Sequence, residues 1–485
     1  MTVPPPGVPP ALVTDLYELT MAAAYQAAGI EHEATFELSV RRMPPTRRFL
    51  VAAGLDDVLS GLEAFEFDSD DLAYLASTEL LPRGFLDRLA GIRFTGDVWA
   101  VPEGEVVFGG EPLVRVTAPV VEAQLVETFL LNQIASQTML ASKAARVAIA
   151  CGDRRFVDFS ARRDHGIDAA LAAARSAWIA GAAGTSLVAA GRRWGIPISG
   201  TMAHSFVMSF DDEREAFRAY ARSFPRGIVL LIDTYDTVEG ARRAAEVARE
   251  LAADGISLAG VRLDSGDLLK LSIEVRAVLD EAGFDAVAIM ASGDLDEHRI
   301  HDLRSAGAAI DAFGVGTQLG TSADAPSLGA VYKLVEDADG PKMKLATGKV
   351  TLPGRKQIWR LADSDVVGLH DEDLPGRPLL GEVMRGGRRI GSPEPLSAIR
   401  ERCAGALAGL PPELRSLDPL TEDGPDDPRG RAGPPGPAGV AGAAGASGAA
   451  APPAGRGGSS WPIETSPGLR ALADAVRAGR VVAGS

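Results

Sequence analysis

Seven apolar stretches between residues 155 and 316 each run into a polar or glycine-rich terminus. They are Phe156–Phe159, Thr185–Ala189, Ile196–Gly200, Ile228–Asp233, Leu258–Asp264, Ala286–Ser292 and Ile310–Gly316. Most are followed by an Ala/Leu/Arg/Glu-rich segment of helical length. Strands that alternate with helices predict a parallel sheet, and strands buried on both faces read as unbroken apolar runs. If the sheet closes into a barrel, the C-terminal ends of the strands face one shared pocket.

The flanks follow different patterns. Thr14 or Asp15 is placed to cap a helix with Leu16, Leu19, Ala23 and Ala27 on its apolar face. Ala34–Val40 alternates like a strand and leads into the basic loop Arg41, Arg42, Arg47, Arg48, which reads as a solvated surface. Gly96–Val116 holds short strands separated by glycine turns, and Val121–Ala150 reads as one long helix. Lys342–Arg360 has strand-like pieces around a Leu352-Pro353-Gly354 turn. Gly, Ala and Pro dominate from about Gly424 to Ser460, a composition that predicts a disordered linker. A final helix is expected over roughly Pro467–Ala478, docked back on the body. The domain organisation that follows is 1–120 as an N-terminal α/β domain, 121–340 as the barrel with the site, and 341–423 as a return to the first domain. Residues 424–460 form the linker and 461–485 the C-terminal helix.

Composition narrows the setting more than the chemistry. The chain has 485 residues, 46% of them hydrophobic, enough to bury a large core. Two cysteines, Cys151 and Cys403, are too few for a disulfide framework, so a reduced, cytoplasmic setting is expected. The proline-rich N-terminus does not read as a signal peptide, and no apolar run of bilayer length predicts a membrane span. A net charge of −16 argues against nonspecific nucleic-acid binding. It leaves room for phosphorylated small molecules, which local arginines, helix N-termini and a metal can hold.

The strand termini carry the candidate chemistry. His204 follows a Gly200-Thr201 turn, where an imidazole suits a general base or a nucleophile toward phosphorus; a lone histidine is also often structural. Asp233, ending the next strand, is the carboxylate expected to orient it. In Arg262-Leu263-Asp264-Ser265-Gly266-Asp267, strand alternation sends Arg262 and Asp264 to one side. An arginine fork suits a carboxylate or phosphate, and an aspartate suits ribose hydroxyls or a Mg²⁺ water shell; an ion pair plus a helix cap is the bland alternative. Ser292-Gly293-Asp294 and Gly314-Val315-Gly316-Thr317 end consecutive late strands, the usual place for a barrel's phosphate site, although most such glycines merely make turns. Phe159 with Arg162 and Arg163 pairs an aromatic face with cations; the ring reads equally as core.

Four strings together resemble the nicotinate phosphoribosyltransferase family. They are Thr14-Asp15-Leu16-Tyr17-Glu18-Leu19-Thr20-Met21, Gly200-Thr201-Met202-Ala203-His204-Ser205, Arg262-Leu263-Asp264-Ser265-Gly266-Asp267 and Pro326-Ser327-Leu328-Gly329-Ala330-Val331-Tyr332-Lys333-Leu334. The resemblance runs in order from about Leu12 to Leu420. It implies an irregular TIM-like α/β barrel plus an α/β domain built from N- and C-terminal segments. It implies synthesis of nicotinate mononucleotide and pyrophosphate from nicotinate and phosphoribosyl pyrophosphate, coupled to ATP hydrolysis, at the entry to NAD salvage.

The resemblance also implies roles. His204 would accept the γ-phosphoryl group of ATP, with Asp233 orienting it. Phe159 and Tyr17 would sandwich the pyridine ring, Tyr17 reaching across a homodimer. Arg162, Arg262 and Thr201 would contact the nicotinate carboxylate or sugar phosphate, and Asp264 the ribose hydroxyls or a metal. Ser292, Gly293, Gly314, Gly316, Thr317 and Thr321 would cradle the 5′-phosphate. Mg²⁺ would offset pyrophosphate charge, with no metal ligand assigned. Hydroxyls at Gly184-Thr185-Ser186, with no carboxylate beside them, favour an anionic ring substituent over an amide. Nicotinamide or quinolinate phosphoribosyltransferase is the near rival, and a Mg²⁺-dependent barrel lyase the remote one. No lysine ends a candidate strand, which weakens the lyase.

Overall fold

A computed structural model describes residues 10–252, 254–346, 350–418 and 460–479. Its centre is a five-stranded parallel sheet in the order Arg155–Asp158, Ala312–Val315, Ala288–Ala291, Leu258–Leu263, Ile228–Leu231. Beyond Asp158, single parallel bridges add Thr185 and then Ile198. Going round from Asp158 through Thr185, Ile198 and the four later strands returns to Asp158 in chain order. The strands therefore follow one another round an irregular barrel in which the last pairs with the first, while no strand pairing among the described residues joins Ile198 to Ile228–Leu231. The apolar strand interiors bury Phe156, Leu230, Val261, Ile289 and Phe313 against Ala-rich helices such as Ile167–Ile179 and Thr237–Ala252.

The early part of the barrel departs from the expected strands. Thr185–Ala189 and Ile196–Gly200 contribute one bridged residue each, and Val188–Trp194 is a helix. The run Ala189-Ala190-Gly191-Arg192-Arg193 lacks the β-branched residues that hold a strand, and Gly195 ends the helix at φ +70.

The second core belongs to a seven-stranded antiparallel sheet. Glu33–Arg42 lies in it between Gly329–Asp337, which leaves the barrel, and Pro112–Pro119, which precedes it. Gly381–Arg385 pairs with Asp97–Ala100 on the far side. The polar face of Glu33–Arg42 is buried too. Glu37 takes an ion pair from Lys356 at 2.8 Å, and Thr35 shares a 2.9 Å hydrogen bond with Thr117. A four-stranded sheet supplies Lys356, and its outer strand Ile463–Thr465 runs parallel to Asp365–Leu369. Trp461 stacks on Phe108 with ring centroids 5.3 Å apart, and Ser466 caps the closing helix Pro467–Arg477. Helix Leu396–Ala408 packs on the barrel side, where Arg400 donates to the carbonyls of Ala182 and Gly181. The Gly/Ala/Pro tract expected as a linker lies almost wholly outside the described residues.

Three further expectations change. The long helix is two, Val120–Leu125 and Glu127–Cys151, broken at Val126. The N-terminal helix Leu16–Ala27 buries Glu18, Leu19 and Ala22 and leaves Leu16 exposed; hydrogen bonds from Thr128 to Glu18 turn that face inward. Asp15 is its N-cap without a side-chain cap bond; its carboxylate lies 2.8 Å from the Thr128 hydroxyl. Arg47 is not at a solvated surface: its side chain is almost fully buried and ion-paired to Asp324.

Candidate active site

Parallel strands put Phe159, Thr201, His204, Asp233, Asp264, Ser292 and Gly316 just past their C-terminal ends, on one rim. Arg262, on the strand Leu258–Leu263, ties the rim together. Its Nε donates to Ser292 Oγ at 2.8 Å, Nη1 to Thr201 Oγ1 at 2.8 Å and Nη2 to Asp264 Oδ1 at 2.9 Å. The guanidinium lies 5.6 Å from the centroid of the Phe159 ring. A guanidinium has five N–H groups, so these bonds leave about two for a ligand. Ser292 in turn donates to Asp264, so its hydroxyl is occupied by protein partners. Thr201 donates onward to the Met202 carbonyl at 3.2 Å.

The histidine has a different carboxylate beside it than expected. His204 starts the short helix His204–Met208; its Nδ1 lies 3.1 Å from Thr234 Oγ1 and its Nε2 3.9 Å from Asp264 Oδ2. Asp233 does not reach it. The Asp233 Oδ2 accepts the Asp264 N–H at 2.8 Å and the Ser265 hydroxyl at 2.7 Å, while its Oδ1 is buried without a partner. Asp233 thus orders the Asp264–Ser265 turn. Burial pushes the Asp264 carboxyl up, but hydrogen bonds from Ser292 and Arg262 outweigh it and hold the group below the ordinary aspartate value.

Glycines expected to cradle phosphate divide into two kinds. A Cβ on Gly314 would sit 2.6 Å from the Phe159 ring, so this glycine makes room for the aromatic. Gly293, at φ +93, would bring a Cβ within 2.1 Å of the Asp264 carbonyl oxygen, so it lets two rim turns touch. Gly316 precedes the short helix Thr317–Gly320, leaving Gly316 and the exposed Thr317 as the part of this turn open to an anion. The Thr321 hydroxyl donates to the Thr317 carbonyl at 2.7 Å and is a turn-maker.

Asp158, which ends the first strand, and Asp164, in the loop after Phe159, form a carboxylate pair with no role in the expected site. Fully buried Asp158 accepts from the Ser160 N–H at 2.9 Å, the Ser160 hydroxyl at 2.6 Å and the Thr185 hydroxyl at 2.7 Å. Thr185 is therefore committed to Asp158, and Ser186 is the exposed hydroxyl of that strand end. Asp164 lies 3.0 Å from the same Ser160 hydroxyl. Arg162 is exposed on this loop. Tyr17 is not at the rim within one chain; it lies on the N-terminal helix, where burial and then Glu127, Glu18 and Asp15 raise its phenol. Thr234 was missed although it follows Asp233; Ser265, expected only as part of a helix cap, bonds Asp233 while Asp267 caps the helix.

Two family profiles match the chain: the nicotinate phosphoribosyltransferase (NAPRTase) N-terminal domain over residues 12–135 and the NAPRTase family over residues 154–339. The chain is 52% identical to nicotinate phosphoribosyltransferase pncB2 of Mycobacterium tuberculosis, over 84% of this chain and 89% of that protein. It is 46% identical to the nicotinate phosphoribosyltransferase of Bacillus subtilis, over 75% of this chain and 77% of the relative. Among solved structures, human nicotinic acid phosphoribosyltransferase superposes with a TM-score of 0.78 at 29% identity, covering 96% of this chain and 99% of that one.

Proposed function

The chain belongs to the nicotinate phosphoribosyltransferase family, and from that premise we propose that it joins nicotinate to phosphoribosyl pyrophosphate. The products are nicotinate mononucleotide and pyrophosphate, the first step of NAD salvage from nicotinate. The observation that carries the reading is the Arg262 hub, which holds a cation, a carboxylate and two hydroxyls over the Phe159 ring at one barrel mouth.

In this reading the pyridine ring lies on Phe159, and Arg262 uses its remaining N–H groups on the nicotinate carboxylate or the sugar phosphate, with Arg162 near. The ring nitrogen forms the bond to ribose C1 as the bond to pyrophosphate breaks, and Asp264 holds the ribose hydroxyls. The Gly293 turn and the N–H groups at Gly316–Thr317 receive the 5′-phosphate. The acid is favoured over the amide because Ser186 offers a hydroxyl, while the nearby carboxylate, Asp158, is buried and held by three hydrogen bonds. ATP coupling runs through His204: Thr234 holds Nδ1, leaving Nε2 to take the γ-phosphoryl group as ADP leaves. Water then cleaves the N–P bond and releases phosphate.

The free oxygens of Asp233 and Asp264 are hard donors that suit Mg²⁺. No group of three or more His, Cys, Asp or Glu forms a metal cage among the described residues, so substrate oxygens and water would complete the shell. The bound ion would offset charge on the departing pyrophosphate.

A second copy of the chain is the proposed partner. Ile167, Val188, Ile198, Met208 and Tyr235 stand exposed around the barrel mouth, and Tyr17 is exposed on the N-terminal helix. Apolar groups collected this way suit a covered surface. No helix among the described residues is long and apolar enough to cross a membrane; we propose a cytoplasmic enzyme.

The test is a turnover assay with phosphoribosyl pyrophosphate against nicotinate, nicotinamide and quinolinate, each with and without ATP, on wild type and His204→Ala. Nicotinate alone should be consumed, and the variant should lose ATP hydrolysis and ATP stimulation while keeping slow transfer. Undiminished ATP coupling in the variant would remove His204 from the mechanism.

A further inference from the structure

Beneath the mouth, one buried lysine holds both late loops. Lys143 is 1% exposed, on the helix Glu127–Cys151. Its Nζ donates to the Glu297 carboxylate and, at 2.8 Å, to Asp324 Oδ1. Each acceptor belongs to a different turn of the rim. Glu297 begins the helix Glu297–Ser305, with two residues between it and the Ser292-Gly293-Asp294 turn. Asp324 ends the turn that starts at Gly316–Thr317.

That second turn is wound tightly enough to transmit a displacement. Ser322 N donates to the Leu319 carbonyl at 3.0 Å, Ala323 N to Gln318 at 3.2 Å and Ala325 N to Ser322 at 2.8 Å. The outer flanks are pinned as well. Arg146 Nε donates to Glu297 Oε1 at 2.9 Å, and Arg47 pairs with Asp324 and donates to Ser322 Oγ at 3.1 Å. Lys143 alone bridges the two carboxylates among the described residues.

We infer that Lys143 is a positioning residue: it sets the gap between the Gly293 turn and the Gly316–Thr317 turn, and so the fit of the sugar phosphate between them. The inference rests on the proposal that these turns receive the 5′-phosphate. It assigns Lys143 no contact with substrate.

Lys143→Met is a clean probe, since Glu297 keeps Arg146 and Asp324 keeps Arg47, leaving neither carboxylate without a cation. The Michaelis constant for phosphoribosyl pyrophosphate should rise by about tenfold or more, as a displaced cradle costs transition-state fit. The constant for nicotinate should rise clearly less, because Lys143 reaches Arg262 and Phe159 only indirectly, through Ser292 and Gly314. Asp324→Asn, which loosens only the second turn, should shift the same constant less and serves if Lys143→Met fails to fold. Gly316→Val gauges the underlying reading by placing a branched side chain on the proposed phosphate turn. If Gly316→Val raises the constant and the Lys143 and Asp324 variants do not, the positioning role is wrong. If none of the three raises it, the phosphate assignment falls and the role of Lys143 with it. Equal rises for both substrates would mark Lys143 as merely structural and overturn the inference.

Discussion

The barrel carries two layers of charged side chains, and their hydrogen bonds are completed to different degrees. At the mouth, Arg262 keeps unused donors, Asp233 has a buried oxygen with no protein partner and the His204 side chain is 39% exposed. In the layer beneath, Lys143, Arg146 and Glu297 are sealed, and each has its charge answered by a neighbour. Both layers combine cations with carboxylates, so charge alone does not separate them. Spare capacity does. A group with capacity left can bind something new, whereas a completed one can only hold its neighbours in place.

The largest expected effect comes from breaking the lower layer. Burial pushes the Glu297 carboxyl up, but Lys143 and then Arg146 override it and hold the group below the ordinary glutamate value. Glu297→Ala leaves Arg146 buried without its carboxylate, and removing one partner of a buried pair costs about 3–5 kcal/mol. The urea midpoint should fall accordingly at neutral pH. Because the folded-state pKa is depressed, the contribution is present above the ordinary carboxylate range and lost as pH falls through the folded value. A midpoint unmoved at pH 7 would show that the lower layer does not support the fold.

Arg262→Lys, at the mouth, should behave in the opposite way. A single ammonium replaces three directed bonds and the planar face over Phe159. Losing charged hydrogen bonds to a ligand costs about 1.5–3 kcal/mol, so kcat/KM should drop about tenfold or more. The melting temperature should move far less than for Glu297→Ala. A variant with wild-type kcat/KM and a strongly lowered melting temperature would place Arg262 in the structural layer instead.

The upper layer was largely legible in the sequence, and the lower layer was not. Strand runs end where chemistry collects, so Phe159, Thr201, His204, Arg262, Asp264 and Ser292 are found by locating strand termini. Register then brings them together, since each barrel strand adds its end to the same rim. The lower layer depends on pairs such as Lys143 and Glu297, which are 154 residues apart. Neither residue stands out locally: Lys143 falls in an ordinary Ala-rich helix, and Arg47 falls in a charge run that resembles surface. The same limit explains Asp233, whose strand-end position was clear but whose partners, Asp264 N–H and Ser265, were set by the packing of the next turn. The packing role of Gly314 was hidden for a related reason: a glycine's neighbours in space, here the Phe159 ring, do not appear in its neighbours in sequence.

Asp164 tests the comparison at its weakest point, because it belongs to a mouth loop yet has a buried oxygen with no partner. Ser160 has one hydroxyl proton and two carboxylates within reach, Asp158 at 2.6 Å and Asp164 at 3.0 Å. The two share it, and the nearer contact is the stronger. Burial pushes the Asp164 carboxyl up to about 6, with the Asp158 charge adding to the rise and the Ser160 bond opposing it. The folded chain therefore holds this proton over a range, from 3.8 to about 6, in which the unfolded chain has released it. Stability falls as pH rises through that window, and the full penalty stands above it. Asp164→Asn removes the titration while keeping the shape. Its urea midpoint should exceed wild type at pH 7.5, and the gain should shrink steadily as the pH is lowered to 4. The size should be small, since the loop is partly open to solvent and water screens the charge. Midpoints that run parallel across the range would mean that Asp164 is satisfied in solution, and that the mouth loop carries no strained carboxylate.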